Sequence, residues 1–193
     1  MTKNQILTAP LGVVHGRFQI LHNDHLKYIL AAKQRCRELV IAITNPDPEA
    51  TLSESADIHR SSSHANPLTY YERYLLVKAA MQSARQPSDS YSIVPLPIST
   101  PERYQYYVPL NALFFLTIYD DWGRRKRQYF NSLNLNVEIL WDIPKEEKGI
   151  SGTHVRELML QSLPWESLVP QGVADLLKKW GIPERLRRIQ ASK

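Results

Sequence analysis

Cysteine is almost missing from this chain: Cys36 is the only one among 193 residues. That excludes an internal disulfide and fits a reducing cytoplasm. No apolar run approaches the ~20 residues that a helix needs to span a bilayer. Residues 1–5, Met-Thr-Lys-Asn-Gln, show no signal-type apolar region, so neither a membrane location nor export is expected. Internal repeats and low-complexity tracts are also lacking. What is present is ordinary for a soluble globular protein, 43% hydrophobic and 22% charged. The length suits one domain and is too short for two. We therefore expect a single domain over residues 1–193, with a core at 11–162 and a helical segment at 163–193.

The net charge of +5 would suit a polyanion partner if it were spread over a surface. It is not. Residues 178–193 hold six Lys or Arg and one acid, Glu184, so the rest of the chain carries 18 basic and 18 acidic side chains. A second cluster, Arg124-Arg125-Lys126-Arg127, is partly offset by Asp120 and Asp121. Both clusters read as solvated helix faces, and nucleic acid is not an expected partner.

Leu11–His15 is a short apolar run that ends at Gly16, as a buried strand before a sharp turn would. From Asn23 the spacing of Leu26, Ile29, Leu30 and Lys33 predicts a helix. Leu39–Thr44 is a second continuous apolar run. Strand, helix, strand with runs apolar throughout indicates a parallel sheet covered on both faces. Residues 45–67 predict a long loop rich in Ser, Asp and Pro that contains His59 and His64, a length usually tied to function or mobility. A helix is expected from Thr69, strands at Ser92–Pro95, Leu113–Ile118 and Val137–Trp141, and a helix over Gly123–Leu133. The last third reads as helical. About five strands alternate with helices, which makes a doubly wound, Rossmann-like α/β fold.

Open sheets of this kind bind ligands at the carboxyl ends of their strands. Gly16-Arg17 occupies the first such turn. Glycine allows close backbone approach, and Arg17 can donate several hydrogen bonds to phosphate oxygens. His22 and His25, three residues apart at a helix start, can face the same way, where unpaired N–H groups and a partial positive charge suit an anion. No cysteine or carboxylate cluster completes a metal site with the histidine pair. Far downstream, Ser151-Gly152-Thr153 reads as a second capped helix start, with Arg156 on the face of Thr153.

Gly16-Arg17-Phe18-Gln19 followed by His22-x-x-His25 resembles the signature of the nucleotidyltransferase superfamily with the His-x-Gly-His motif. It is most similar to the nicotinamide- and nicotinate-mononucleotide adenylyltransferases. Ile150–Arg156 resembles the second motif of that superfamily, Ile-Ser-Gly-Thr-x-Ile/Val-Arg, and the similarity covers about residues 11–180. The resemblance implies that His22 and His25, with Arg17 and Arg156, steady the transition state. It implies a nucleotide pocket of Gly16, Arg17, Phe18, Gln19 and Gly152, with Ser151, Thr153 and Arg156 on the β- and γ-phosphates. Two departures stand out: Ile20 where the branch has Pro, and Asp24 where it has Gly, the second bearing on the choice of base.

Asn66-Pro67-Leu68-Thr69-x-x-Glu72-Arg73 is similar to an acceptor-side segment of the archaeal-type enzymes and implies Arg73 near a phosphate. Asn45 and Asn66 are further acceptor-side candidates, and Trp122 could either stack on a heteroaromatic ring or belong to the core. Thr44-Asn45-Pro46-Asp47-Pro48 is also similar to cytidylyltransferase domains of phosphonate biosynthesis. The leading expectation is adenylyl transfer from ATP, with Mg²⁺ bound through the triphosphate, to a pyridine mononucleotide. The alternative is cytidylyl transfer from CTP to a small phosphonate or phosphate. A third reading is a nucleotide-sensing or nucleic-acid-binding module without turnover. Many relatives are oligomers, which makes an assembly of like chains compatible with this reading.

Overall fold

A computed structural model describes residues 9–47 and 65–191. The loop histidines His59 and His64 lie outside the described residues. The order of elements is β1 (Ala9–Gly16), α1 (Asn23–Lys33), β2 (Cys36–Thr44), α2 (Tyr70–Ser83), β3 (Tyr91–Leu96), β4 (Leu113–Ile118), α3 (Asp121–Ser132), β5 (Asn136–Asp142), α4 (Gly152–Leu160), α5 (Gln171–Lys179) and α6 (Ile182–Ala191). The five strands form one parallel sheet in the order β3-β2-β1-β4-β5. This is the doubly wound architecture expected from the apolar runs. Pro95 sits in β3, an edge strand, where a missing N–H is tolerated.

Alternation along the central strands divides the core into two layers. Val14, Ile41 and Ile43 face one side, where they pack with Ile29 of α1, Leu76 and Val77 of α2 and Val155 of α4. Val13, Val40 and Ala42 face the other, with Phe114, Leu116 and Phe130 of α3. Burying both faces of β2 over residues 39–44 explains why that stretch runs apolar without a break, after the exposed Arg37 and Glu38 at its start. In α1 the buried side chains are Tyr28, Ile29 and Ala32, so the apolar stripe is turned by one position from the spacing read in the sequence. Tyr28 replaces Leu30 on the buried face because its hydroxyl donates to the carbonyl of Phe115 at 2.6 Å.

The basic C-terminal segment is folded onto the same core, through Val173, Leu177, Ile182 and Leu186. Arg185 pairs with both carboxylate oxygens of Glu72, at 2.7 and 2.8 Å, and donates to the carbonyl of Pro67. Arg187 reaches Glu184 and the carbonyl of Met159. These cations serve the packing of α6 rather than an open basic surface. Among the described residues, no helix is long and apolar enough to cross a membrane.

Candidate active site

Strand order reverses between β1 and β4, and a cleft of about 480 Å³ opens there. Gly16, Arg17, Phe18, Gln19, His22 and His25 of the first motif line it, together with Ser151, Gly152, Thr153 and Arg156 of the second. The two phrases, more than a hundred residues apart, thus share one cavity.

His22 is the N-cap of α1. Its Nδ1 accepts the backbone N–H of His25, and Nδ1 of His25 accepts the backbone N–H of His22, both at 3.4 Å. The rings stack with centroids 3.7 Å apart, and Phe18 meets His25 edge-on at 5.1 Å. Burial pushes the His22 imidazole down to about 4, with Asp24 opposing and Lys148 reinforcing the shift. Burial, then the charges of His22 and Lys148, hold His25 well below its ordinary value. Both rings are therefore neutral at pH 7. With Nδ1 used as an acceptor, the proton of each sits on Nε2, a donor for a ligand oxygen at His22, while the Ile20 carbonyl also faces the His25 ring and opposes its downward shift.

Three contacts join the two motifs. Arg156 donates through Nη1 to the carbonyl of Gln19 and through Nη2 to Thr153 Oγ1 at 3.1 Å. The start of α4 lies so close that a Cβ at Gly152 would stand 2.7 Å from the Gln19 carbonyl oxygen, so only glycine fits. Asp24 accepts the N–H of Ile150 at 2.6 Å, and a Cβ at Gly149 would meet the same carboxylate oxygen at 2.4 Å. The acid that departs from the family pattern is thus turned onto the second motif. Ser151 caps α4 by accepting the N–H of His154 at 3.1 Å. Arg156 is buried, which lowers its guanidinium to about 10, still charged at neutral pH.

Other expected residues have different places. The phosphate contact expected of Arg73 gives way to a structural one. Arg73 is 2% exposed, and it donates to the carbonyls of Arg17, Thr44, Asn45 and Thr69 at 2.7–3.3 Å. It braces the ends of β1 and β2 from below. Asn45 is buried with a positive φ of 51°, gives its carbonyl to Arg73, and is not among the cleft-lining residues. Gln19 lines the cleft, but its amide is paired with the backbone of Leu68 in both directions, at 2.8 and 3.0 Å. Asn66 accepts from Arg17 at 3.5 Å. Trp122 is not core: it is 46% exposed on the cleft wall, with Lys126 Nζ 4.8 Å from its ring centre.

Among the cleft residues that escaped the sequence reading, three are basic. His15 looked like the end of an apolar run, and Lys126 belonged to a cluster read as solvated. Lys148, whose charge reaches both motif histidines, sits in the mixed run Lys145-Glu146-Glu147-Lys148, which resembles any exposed turn. Among the described residues, no group of three His, Cys, Asp or Glu side chains could hold a metal ion.

Comparison with known proteins agrees with this geometry. A family model described as cytidylyltransferase-like matches residues 13–158. The chain is 46% identical over 187 residues to the phosphonoformate cytidylyltransferase of Streptomyces viridochromogenes, covering 97% of this chain and all of that one. It is 27% identical over 180 residues to the nicotinamide-nucleotide adenylyltransferase of Thermococcus kodakarensis, covering 92% and 87% of the two chains. Among solved structures, a bifunctional NMN adenylyltransferase/ADP ribose pyrophosphatase from Francisella tularensis matches with a TM-score of 0.63 at 16% identity. This chain is covered to 94% there, yet spans only 53% of that longer protein. The same bifunctional protein complexed with AMP and a manganese ion matches at 0.54 and 19%. The chain belongs to the cytidylyltransferase-like family of nucleotidyltransferases.

Proposed function

We propose that this protein transfers a cytidylyl group from CTP to a small phosphonate or phosphate and releases pyrophosphate. The observation that carries the choice of base is the 46% identity to a phosphonoformate cytidylyltransferase over essentially the whole of both chains. The adenylyltransferases are similar at 27%, so the adenylyl reading that led at the level of sequence takes second place.

The chemistry follows from the donors around the cleft. An unprotonated oxygen of the acceptor attacks the α-phosphorus in line. The new P–O bond forms as the bond from the α-phosphorus to the bridging oxygen breaks, and its electron pair leaves with pyrophosphate. A phosphonate dianion needs no deprotonation, so no general base is required. His22 and His25, as neutral Nε2–H donors, and Arg17 and Arg156, as cations, meet the charge that spreads over the phosphoryl oxygens. The amide-rich start of α4, with Ser151 and Thr153, receives the β- and γ-phosphates. The donors are held in place before the ligand arrives, which is where such catalysis gains most. Mg²⁺ would enter on the triphosphate oxygens, since the described residues offer no cluster of their own, and no step is assigned to it.

Pyrophosphate release measured with CTP or ATP, each against phosphonoformate and against nicotinamide mononucleotide, tests this reading. At least a tenfold preference for CTP with the phosphonate is expected. Preferential turnover of ATP with the mononucleotide would replace it by the adenylyl reading.

A further inference from the structure

The cleft has an end that neither motif occupies. His15 is the penultimate residue of β1, and strand alternation turns its side chain to the α3 side, with Val13, rather than toward α1, with Val14. There its ring stacks on Phe130 of α3, centroids 5.2 Å apart and planes 29° apart. His15 lines the cleft and is 6% exposed. Neither of its ring nitrogens has a hydrogen-bond partner. Buried polar atoms are almost always satisfied, and an unsatisfied one lowers stability. An aliphatic residue, such as the valines at 13 and 14, would fill this position without that loss. A polar ring kept here fits a partner that comes and goes.

The surroundings give the charge of that partner. Trp122 and Gly123, in the first turn of the twelve-residue helix α3, line this end of the cleft with Asp120. The Asp120 carboxylate already caps the helix by accepting the Gly123 N–H at 2.9 Å, so an anion here would depend on Lys126 rather than on the helix start. Lys126 lines it too, one turn further on, with Nζ 5.9 Å from the centre of the Phe130 ring on which His15 stacks. Burial and the Lys126 charge keep the His15 imidazole neutral, so it offers one N–H donor. The two flip states of the ring exchange nitrogen and carbon positions, which lets a donor face the cleft without leaving the Phe130 stack.

We propose that His15 and Lys126 form a subsite for a carboxylate of the acceptor, a second anionic group beyond the phosphonate oxygen that attacks. The carboxylate takes the imidazole N–H on one oxygen and the Lys126 ammonium on the other. The acceptor then lies on the α3 side of the β1/β4 crevice and the triphosphate on the α1/α4 side. This inference rests on the nucleotidyl-transfer reading above and adds the residues that would tell a phosphonate bearing a carboxylate from one without it.

The test compares phosphonoformate with methylphosphonate, which replaces the carboxylate by a methyl group, in the wild-type chain, His15→Leu and Lys126→Met. The quantity read is the ratio of kcat/KM for the two acceptors. It should favour phosphonoformate in the wild type and fall at least tenfold in each variant. His15→Leu should also melt above the wild type, because two unpaired buried nitrogens are gone, and Lys126→Met alone decides the matter if His15→Leu does not fold. A ratio near one in the wild type, or one that survives the substitutions, overturns the subsite. Turnover with ATP in place of CTP overturns the cytidylyl reading alone, since the same ratio measured with ATP still decides the subsite. If the wild type turns over phosphonoformate with neither triphosphate, the subsite is wrong as drawn.

Discussion

At the α1–α4 end of the cleft, the functional side chains are braced by the backbone. His22 and His25 cap one another, Arg156 holds the Gln19 carbonyl, and Asp24 holds the N–H of Ile150. At the α3 end, His15 has no hydrogen-bond partner on either ring nitrogen and rests on an aromatic face. The first end has the character of a site set in advance for charge that develops during reaction, where reorganisation would be costly. The second leaves polar capacity unspent for a ligand that must be told apart from others. Rate should therefore depend mainly on the braced end, and discrimination between acceptors on the other.

The sharpest way to break this contrast is to remove one donor from the braced end. His22→Ala or His25→Ala should lower kcat by on the order of 10²–10³, or ~3–4 kcal/mol, as loss of a single oxyanion donor does. The effect should appear with phosphonoformate and methylphosphonate alike. Steady-state kinetics on folded variants check this. A near-normal kcat in both would remove the histidines from the mechanism, and a loss confined to one acceptor would erase the division of labour.

A second consequence is thermodynamic. An unfolded histidine takes up a proton near pH 6.5, whereas folded His22 resists until about 4. Between those values the unfolded chain binds more protons, so stability falls as pH is lowered through this window and is fully present above it. The His22 share alone is about 3 kcal/mol. His25 and His15, both held down chiefly by burial, act in the same direction. Thermal or urea midpoints measured from pH 7.5 to 4.5 should drop steeply, and the slope should be shallower in His22→Gln. A flat profile would mean that the histidines are not held neutral.

The same contrast separates what could be read in the sequence from what could not. The sheet was legible because the second halves of β1 and β2 are buried on both faces, which leaves the apolar runs Leu11–His15 and Leu39–Thr44. The braced end was legible because its chemistry is local: the two histidines lie one helical turn apart and cap each other, and Ser151, Thr153 and Arg156 belong to one helix start. Arg73 was misread because its partners, the carbonyls of Thr44 and Asn45, lie 29 and 28 residues away. The pairing of the Gln19 amide with the backbone of Leu68, 49 residues on, was hidden for the same reason, although Gln19 lines the cleft as expected. His15 was hidden by its neighbours, since it ends an apolar run and only the facing of β1 toward α3 distinguishes it. Lys126 and Lys148 were hidden by like company, as charge-rich stretches look solvated until the fold turns one member inward.

Asp24 is where the two motifs meet, and it offers the smallest and finest probe of the comparison. Its carboxylate accepts the Ile150 N–H at 2.6 Å, one residue before the cap of α4. Asp24→Ala frees that turn without removing any donor to the triphosphate, so the second motif would have to be ordered at each binding event. The expected result is a KM for CTP raised about tenfold, worth ~1.4 kcal/mol, with kcat lowered less than in the histidine variants. Asp24→Asn keeps an oxygen that can accept the same N–H and should restore most of the lost affinity. If Asn behaves like Ala, the negative charge matters more than the bond, and Asp24 acts on the field around His22 rather than on the geometry of the turn. The pH profile reads the loss of charge directly. Loss of charge removes the influence that opposes the downward shift of His22, so in Asp24→Asn the histidine would hold its neutral form to still lower pH.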